Sequence, residues 1–393
     1  MNVLMISHLY PSPGDDRHLF VHEQARALQE LGVHVRVISP TPYTPRLLWR
    51  VPRLRRRGMR PRRAVRDGIT ADYPRVLQPP RRILFHRLGD ISHARLRRLP
   101  WLQEAAFDLV HAHQALPDGG AAQRLAGDLG LPYVVTVNGV DVNVHLRRPG
   151  AVAERTAAVL RGAAAVVAVS SSVAGQLRPI VAGERLHVNL NGVVDGGQSV
   201  APADLAPGRR LLLSAGNLIA SKGNATVIDA LSRLASAYPD LDYAIAGEGV
   251  QLPTLTSQAA RLGLAERVHF LGLLAHDRLL ALMARADVFV QPSSPEGFGQ
   301  VYAEAMSQGT PVIACRDEGP ADYVQDGVNG WLVAPGDADA LAAVIATALD
   351  DPAATHAVAE AGRQAAAALT WTANAQRQLA IYEQVLAAQG SGS

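Results

Sequence analysis

Two short stretches of the 393-residue chain carry residue types that can handle a phosphorylated ligand. The longer one reads Glu296-Gly-Phe-Gly-Gln-Val-Tyr-Ala-Glu304-Ala-Met306, followed by Gly309-Thr-Pro311-Val312. Its two glutamates stand eight residues apart across a Gly-rich strand-to-helix turn. Gly297 and Gly299 permit tight backbone approach, and the amides after Gly299, at a helix start, face an anion. Glu296 in the loop and Glu304 on the helix can then grip different parts of one ligand. The plainer reading is a tight turn with a solvated glutamate. The second stretch is Gly216-Asn217-Leu218-Ile219-Ala220-Ser221-Lys222-Gly223, placed after an expected strand and opening a helix. A Lys-Gly pair at a helix start is ordinarily a solvated cap. Here Lys222 is the only lysine among 38 basic residues, and an ammonium is a compact point charge suited to a diphosphate. Neither stretch matches the Walker pattern or the Gly-x-Gly-x-x-Gly dinucleotide fingerprint.

The elements that must position these residues alternate along the whole chain. Val3 to Ser7, Val33 to Ser39, Leu109 to His111, Tyr133 to Val137 and Ala165 to Val169 read as strands. Phe20 to Leu31, Gly119 to Leu129 and Ala151 to Leu160 read as helices. The second half repeats the rhythm, with strands at Leu211 to Ala215, Tyr243 to Ala246, Val268 to Leu271, Val288 to Gln291 and Pro311 to Ala314. Its helices begin near Ala225, Leu252, Asp277 and Gly299. Strands that are apolar throughout and spaced by helices imply parallel sheets covered on both faces. The expectation is an α/β protein of two doubly wound, Rossmann-like domains facing a central cleft, since ligands bind beyond the carboxyl ends of such strands. The domains are placed at 1–195 and 209–370, with a Gly-, Pro- and Ala-rich linker at 196–208. A terminal helix at 371–389, expected to cross back, and a tail at 390–393 complete the chain.

Composition excludes several classes. At 48% hydrophobic and 19% charged, the chain has ample apolar material to offset chain entropy, so disorder is not its main state. One cysteine, Cys315, rules out a disulfide framework and a Cys-based zinc site, and it reads as an ordinary strand-end residue. The opening segment reads as a first strand rather than a signal peptide, and no stretch approaches a membrane span. The expected place is the cytoplasm. Net charge is only +3, but 17 arginines between Arg46 and Arg98 face Asp67, Asp72 and Asp90 alone, a local excess of +14. That segment interleaves Arg55, Arg56 and Arg57 with Leu47, Leu48, Trp49, Leu54 and Met59, and its prolines break any long helix. It reads as a basic loop with apolar anchors; arginine bias from a GC-rich genome is the plainer account. It has no recognisable nucleic-acid motif and the rest of the chain is acidic, so no nucleic-acid partner is expected. His111 and His113 are taken to alternate onto opposite faces of a strand, which makes them poor joint metal ligands. Ser170 to Ser172 reads as a helix start.

Taken together, the two phosphate-handling stretches resemble the retaining GT-B glycosyltransferases of glycosyltransferase family four. The resemblance runs along nearly the whole chain. Tyr10-Pro-Ser-Pro-Gly14 with Phe20-Val-His-Glu-Gln24 is similar to the family's first loop and helix. His111-Ala-His113-Gln-Ala-Leu-Pro-Asp118-Gly119 resembles its acceptor-side strand end. Asn138-Gly-Val-Asp141 and Asn191-Gly-Val-Val-Asp195 resemble two further turns, and Glu318-Gly-Pro-Ala-Asp322 through Asp326-Gly-Val-Asn-Gly330 the segment after the glutamate motif.

The resemblance implies transfer, with retention, of a sugar (a hexose) from a nucleotide diphosphate sugar to a saccharide or lipid-linked acceptor, in bacterial envelope polysaccharide or glycolipid synthesis. It implies catalytic roles for Glu296, Lys222 and Asn138. Donor contacts would come from Asn217, Lys222, Glu296, Gly297, Phe298, Gly299, Gln300, Val301 and Glu304, with Glu304 on the ribose and Glu296 on the transferred sugar. Gly14, His18, His113 and Asp141 would line the acceptor side or the cleft. No metal and no cofactor beyond the nucleotide-sugar substrate are implied. An anionic membrane surface is the expected docking partner of the arginine-rich segment, at the inner face of the cell membrane. Three positions depart from the family pattern: Asn217 where an arginine is common, Asn138 where a histidine is common, and His18 where a glycine is common. A sugar-nucleotide epimerase of the same fold and a non-catalytic partner subunit are the alternatives.

Overall fold

The computed structural model describes residues 1–13, 19–51, 59–79, 83–193 and 208–390, apart from the side chains of residues 48, 49 and 103. The chain divides into two compact units, Met1–Gly192 with Trp371–Ser393, and Val193–Thr370. All but Gly208 of the expected linker lies outside the described residues, as do Gly14, His18 and the Arg55–Arg57 run.

The first unit is built on strands β1 (Asn2–Ile6), β2 (His34–Ile38), β3 (Arg63–Arg66), β4 (Ile69–Asp72), β5 (Leu109–His113), β6 (Tyr133–Val137), β7 (Ala165–Ala168) and β8 (Leu186–Val188). Among the described residues they form one sheet in the order β8-β7-β6-β5-β1-β2-β4-β3. Every pairing is parallel except β3 with β4. Strands β5 and β6 are buried along their full length, as a sheet covered on both faces requires. Helices α1 (Leu19–Glu30), α2 (Leu88–Leu96), α3 (Gly120–Leu129), α4 (Ala151–Gly162) and α5 (Ser171–Leu177) supply the cover. The Ser170 hydroxyl caps α5 by accepting from the Val173 amide, the helix start its sequence announces.

The arginine-rich segment is more ordered than a loop where it is described. Arg46–Arg50 form a short 3-10 turn, and β3 and β4 make a hairpin at the sheet edge. Arg36 and Arg63 both bond the Asp72 carboxylate, at 3.2 and 2.8 Å, which fastens that edge.

The second unit holds β9 (Arg210–Ala215), β10 (Leu241–Ala246), β11 (Val268–Gly272), β12 (Val288–Val290), β13 (Val312–Cys315) and β14 (Trp331–Val333). They form an all-parallel sheet in the order β11-β10-β9-β12-β13-β14. It is wrapped by α6 (Asn224–Leu234), α7 (Leu252–Arg261), α8 (His276–Arg285), α9 (Gln300–Ser307), α10 (Ala338–Asp350) and α11 (Pro352–Ala367). Cys315 ends β13 as expected; burial pushes its thiol up to about 12, so it stays neutral.

The last helix, α12 (Trp371–Gly390), belongs to the first unit. Its buried side chains recur at helical spacing: Trp371, Asn374, Ala375, Gln378, Ile381, Tyr382 and Val385. The polar members of that stripe are answered within the unit. Gln24 donates to Asn374 at 2.7 Å, Asn374 donates to the Leu190 carbonyl at 2.8 Å, and Asn189 donates to the Asn374 carbonyl at 3.1 Å. Tyr382 bonds His111 Nδ1 at 2.6 Å, and the other imidazole nitrogen bonds Thr136 at 2.8 Å. Burial holds the His111 pKa well below its usual value, so the ring is neutral and its two bonds fix it as a structural group.

That arrangement corrects the placement of the two histidines. Residues two apart on a strand share a face, and the His111 and His113 rings lie side by side with centroids 4.7 Å apart. Removing the hydroxyl of Tyr382 should leave His111 with an unanswered buried nitrogen. Tyr382→Phe is expected to cost about 1–3 kcal/mol of stability, read as a lower midpoint in chemical denaturation.

Candidate active site

The glutamate motif lies in the second unit, in the turn between β12 and α9 and on α9 itself. Backbone geometry explains the glycines. Gly299 is the N-cap of α9 at φ +81°, and a Cβ there would meet the Tyr302 ring at 2.6 Å. Gly319 comes so close that a Cβ would meet the Gly297 carbonyl oxygen at 2.2 Å. Around this turn the protein supplies fixed partners. The Glu318 carboxylate accepts from the Ser294 hydroxyl at 2.6 Å and from the Glu296 amide at 2.7 Å. Tyr323 donates to the carbonyls of Phe298 and Gly299 at 3.0 and 2.8 Å, and Tyr302 donates to the Gln291 carbonyl. Burial raises both tyrosines well above the usual phenol range, so they remain donors.

The loop so held puts Glu296 against the lone lysine. Lys222 Nζ lies 2.6 Å from Glu296 Oε2, with side chains 21% and 14% exposed. Lys222 ends a 3-10 turn, Ala220–Lys222, just before α6. The Gly216–Leu218 segment ahead of it is held by the end of β10 and the Gly247–Gly249 loop after it, Gly216 N donating to Ala246 O and Leu218 N to Glu248 O, both at 2.9 Å. Ser294 N also donates to the Ser221 carbonyl at 2.8 Å, which ties the lysine turn to the glutamate loop directly. Asn217 is exposed beside this turn. Glu304, half-buried on α9, is met by His276 Nε2 from the start of α8 at 3.3 Å. The α9 N-terminus carries no side-chain cap.

The structure therefore gathers Asn217, Lys222, Glu296, Gly297, Phe298, Gly299, Gln300, Val301 and Glu304 on one unit. The remaining described candidates, His113, Asn138 and Asp141, lie at the carboxyl ends of β5 and β6 in the other. His113 is buried with neither ring nitrogen hydrogen-bonded, and burial lowers its pKa to about 3. The half-buried Asn138 leaves its amide nitrogen without a partner. Asp141 accepts from the Ala115 amide at 3.0 Å.

Three groups that shape this site carry no chemical signal in the sequence reading: Glu318 stands there only within a similar segment, His276 is unmarked, and the Gly247-Glu248-Gly249 loop is a second Gly-rich turn whose spacing is the signal that finds it.

Two parallel α/β units, the second with a glycine-rich turn, a paired Lys and Glu, and an uncapped helix start, define a GT-B glycosyltransferase architecture. Models of known families match both: Glycosyltransferase Family 4 over residues 19–195 and Glycosyl transferases group 1 over residues 199–365. A glycogen synthase of Mycobacterium tuberculosis is 33% identical over 277 residues, 69% of this chain and 67% of that protein. The Bacillus subtilis putative teichuronic acid biosynthesis glycosyltransferase TuaC is 28% identical over 364 residues, 88% of each. Among solved structures, Anabaena HepE in complex with UDP and glucose superposes with a TM-score of 0.74 at 21% identity, over 98% of this chain and 100% of that one. The chain belongs to the family-four glycosyltransferases, and it is a glycosyltransferase.

Glu318 is the keystone of the glutamate loop, so Glu318→Ala should strand the Glu296 amide and the Ser294 hydroxyl. The expected loss is about 1–3 kcal/mol of stability, together with weaker nucleotide binding in calorimetric titration.

Proposed function

We propose that this glycosyltransferase moves a sugar from a nucleotide diphosphate donor with retention and without a metal. The observation that carries this reading is the Lys222–Glu296 pair seated beside the α9 N-terminus. In the structure each charge neutralises the other. A donor diphosphate would take over Lys222 and the amides around Phe298 and Gly299, freeing Glu296 for the hydroxyls of the transferred sugar. Glu304, on the same helix, would hold the ribose. As the glycosidic bond breaks, charge grows on the departing diphosphate, where an ammonium and helix dipole are most effective. HepE was solved with UDP and glucose, which supports a nucleotide-sugar donor.

For the acceptor we propose a saccharide or lipid-linked glycan of the cell envelope; TuaC is named for teichuronic acid biosynthesis, which supports a polysaccharide setting. The arginine-rich edge of the first unit would dock on anionic lipid at the inner face of the membrane. Leu47, Met59, Val65, Leu77 and Ile83 are exposed within that segment, apolar anchors among the arginines. Among the described residues no helix is long and apolar enough to cross a membrane, so attachment would be peripheral. Basic residues near such a surface contribute about 1 kcal/mol each.

Lys222→Ala should lower turnover by about 10²–10³, Glu304→Ala should mainly weaken nucleotide binding, and wild-type turnover should survive EDTA. Thermal-shift screening against nucleoside diphosphates identifies the donor: at a hundred times its dissociation constant it stabilises by about 2.7 kcal/mol. Turnover that EDTA abolishes and a divalent ion restores would overturn the metal-free mechanism.

Co-sedimentation with vesicles containing anionic lipid checks the docking. Binding should fall as salt rises and on neutralising Arg55, Arg56 and Arg57; binding that ignores lipid charge speaks for an acceptor met away from the membrane.

A further inference from the structure

The two carboxylates of the glutamate motif are held in different ways. Glu296 faces a permanent charge, the Lys222 ammonium at 2.6 Å. Glu304 faces an imidazole: among the described residues His276 is the one hydrogen-bond partner of its carboxylate, Nε2 to Oε1 at 3.3 Å. Both side chains are open to solvent, Glu304 at 13% and His276 at 38% exposure, so the pair lies within reach of an incoming ligand.

The imidazole is offered from a braced frame. His276 is the first residue of α8, and Glu304 lies one turn into α9. These helices follow β11 and β12, so both begin at the carboxyl ends of one sheet, the end at which α/β proteins take ligands. Thr310, just beyond α9, ties them to each other. Its amide donates to the Ala305 carbonyl of α9 at 3.0 Å, and its hydroxyl donates to the Met283 carbonyl of α8 at 2.5 Å. Leu280, Ala281, Leu282 and Met283 are buried, which seats α8 on its apolar face.

An ionised carboxylate only accepts, so the ring nitrogen that faces it carries the proton and donates. One donor on Oε1 leaves acceptor capacity on both oxygens, enough for two neighbouring hydroxyls. A free glutamate side chain samples several rotamers, and holding it in one removes an ordering cost that the ligand would otherwise meet. We propose that His276 is a positioning residue for Glu304: it sets that carboxylate for the vicinal diol of the donor's ribose, and through it the preference for a ribonucleotide over a deoxyribonucleotide. The inference rests on the donor reading above, with Glu304 on the ribose, and adds the group that orients it.

The test titrates the full chain by calorimetry with UDP, GDP and the 2′-deoxy and 3′-deoxy forms of each. The wild-type chain should bind the better of the two ribonucleotides about 10- to 100-fold more tightly than its deoxy forms, as hydrogen bonds to a charged group imply. His276→Phe keeps a ring without the donor. It should weaken the ribonucleotide about tenfold while leaving the deoxy affinities unchanged. His276→Gln, whose amide nitrogen can stand where Nε2 stands, should restore most of the preference. Should His276→Phe fail to fold, His276→Ala supplies the same comparison. A merely structural histidine would weaken all the nucleotides alike, and that result overturns the proposal. So does a His276→Phe variant with the full wild-type preference, or a His276→Gln variant as indifferent to the ribose hydroxyls as His276→Phe. Glu304→Ala separates the two levels of the argument. A preference that survives it, or a wild-type chain that binds neither ribonucleotide, removes the donor reading itself and the inference with it.

Discussion

A single carboxylate, that of Glu318, organises the second unit's chemistry. Its two oxygens take the hydroxyl of Ser294 and the amide of Glu296, so the loop leaving β12 has little freedom at the residue that matters. Gly319, beside it, lets the two backbone segments approach more closely than any side chain would allow. Glu296 is thereby presented to Lys222 at ion-pair distance. Loops beyond parallel strands are where ligands meet an α/β sheet, but a loop is useful only when something rigid holds it. Here the holding groups are a buried tyrosine pair and the Glu318 carboxylate.

The two units solve the problem of buried polarity differently. In the second, the charges that would meet a diphosphate are paired with each other, which lowers the cost of keeping them partly desolvated before the donor arrives. In the first, the carboxylates after β5 and β6 keep oxygens with no partner at all. A mutual pair suits a ligand that brings its own strong charge.

Helix α12 belongs to the first unit although the chain visits the second before reaching it. Hydrophobic burial alone does not specify such a return, since an apolar stripe can cover many surfaces. The polar groups within the stripe add the specificity. Asn374 must find Gln24 and the Leu190 carbonyl, and Tyr382 must find His111. A wrongly seated helix would bury all of them unanswered.

Much of the fold was legible because the strands are apolar on both faces and the intervening helices carry a helical period, signals that are local in the chain. Glycine spacing and the lone lysine marked out the two stretches that the structure brings together for the same reason: a turn needing positive φ and a charge with no substitute both leave a mark in a few consecutive residues. What distance along the chain conceals was decided by tertiary structure. Lys222 and Glu296 are 74 residues apart, and nothing local says that they pair. His276 meets Glu304 only because α8 and α9 pack together. The arginine-rich stretch reads as a basic loop, and pairing with its own neighbour makes part of it a sheet edge. His111 and His113 share a strand face, yet only one is answered by a tyrosine 271 residues away. Local patterning determines what each segment becomes; which buried polar group finds a partner is settled only when distant segments meet.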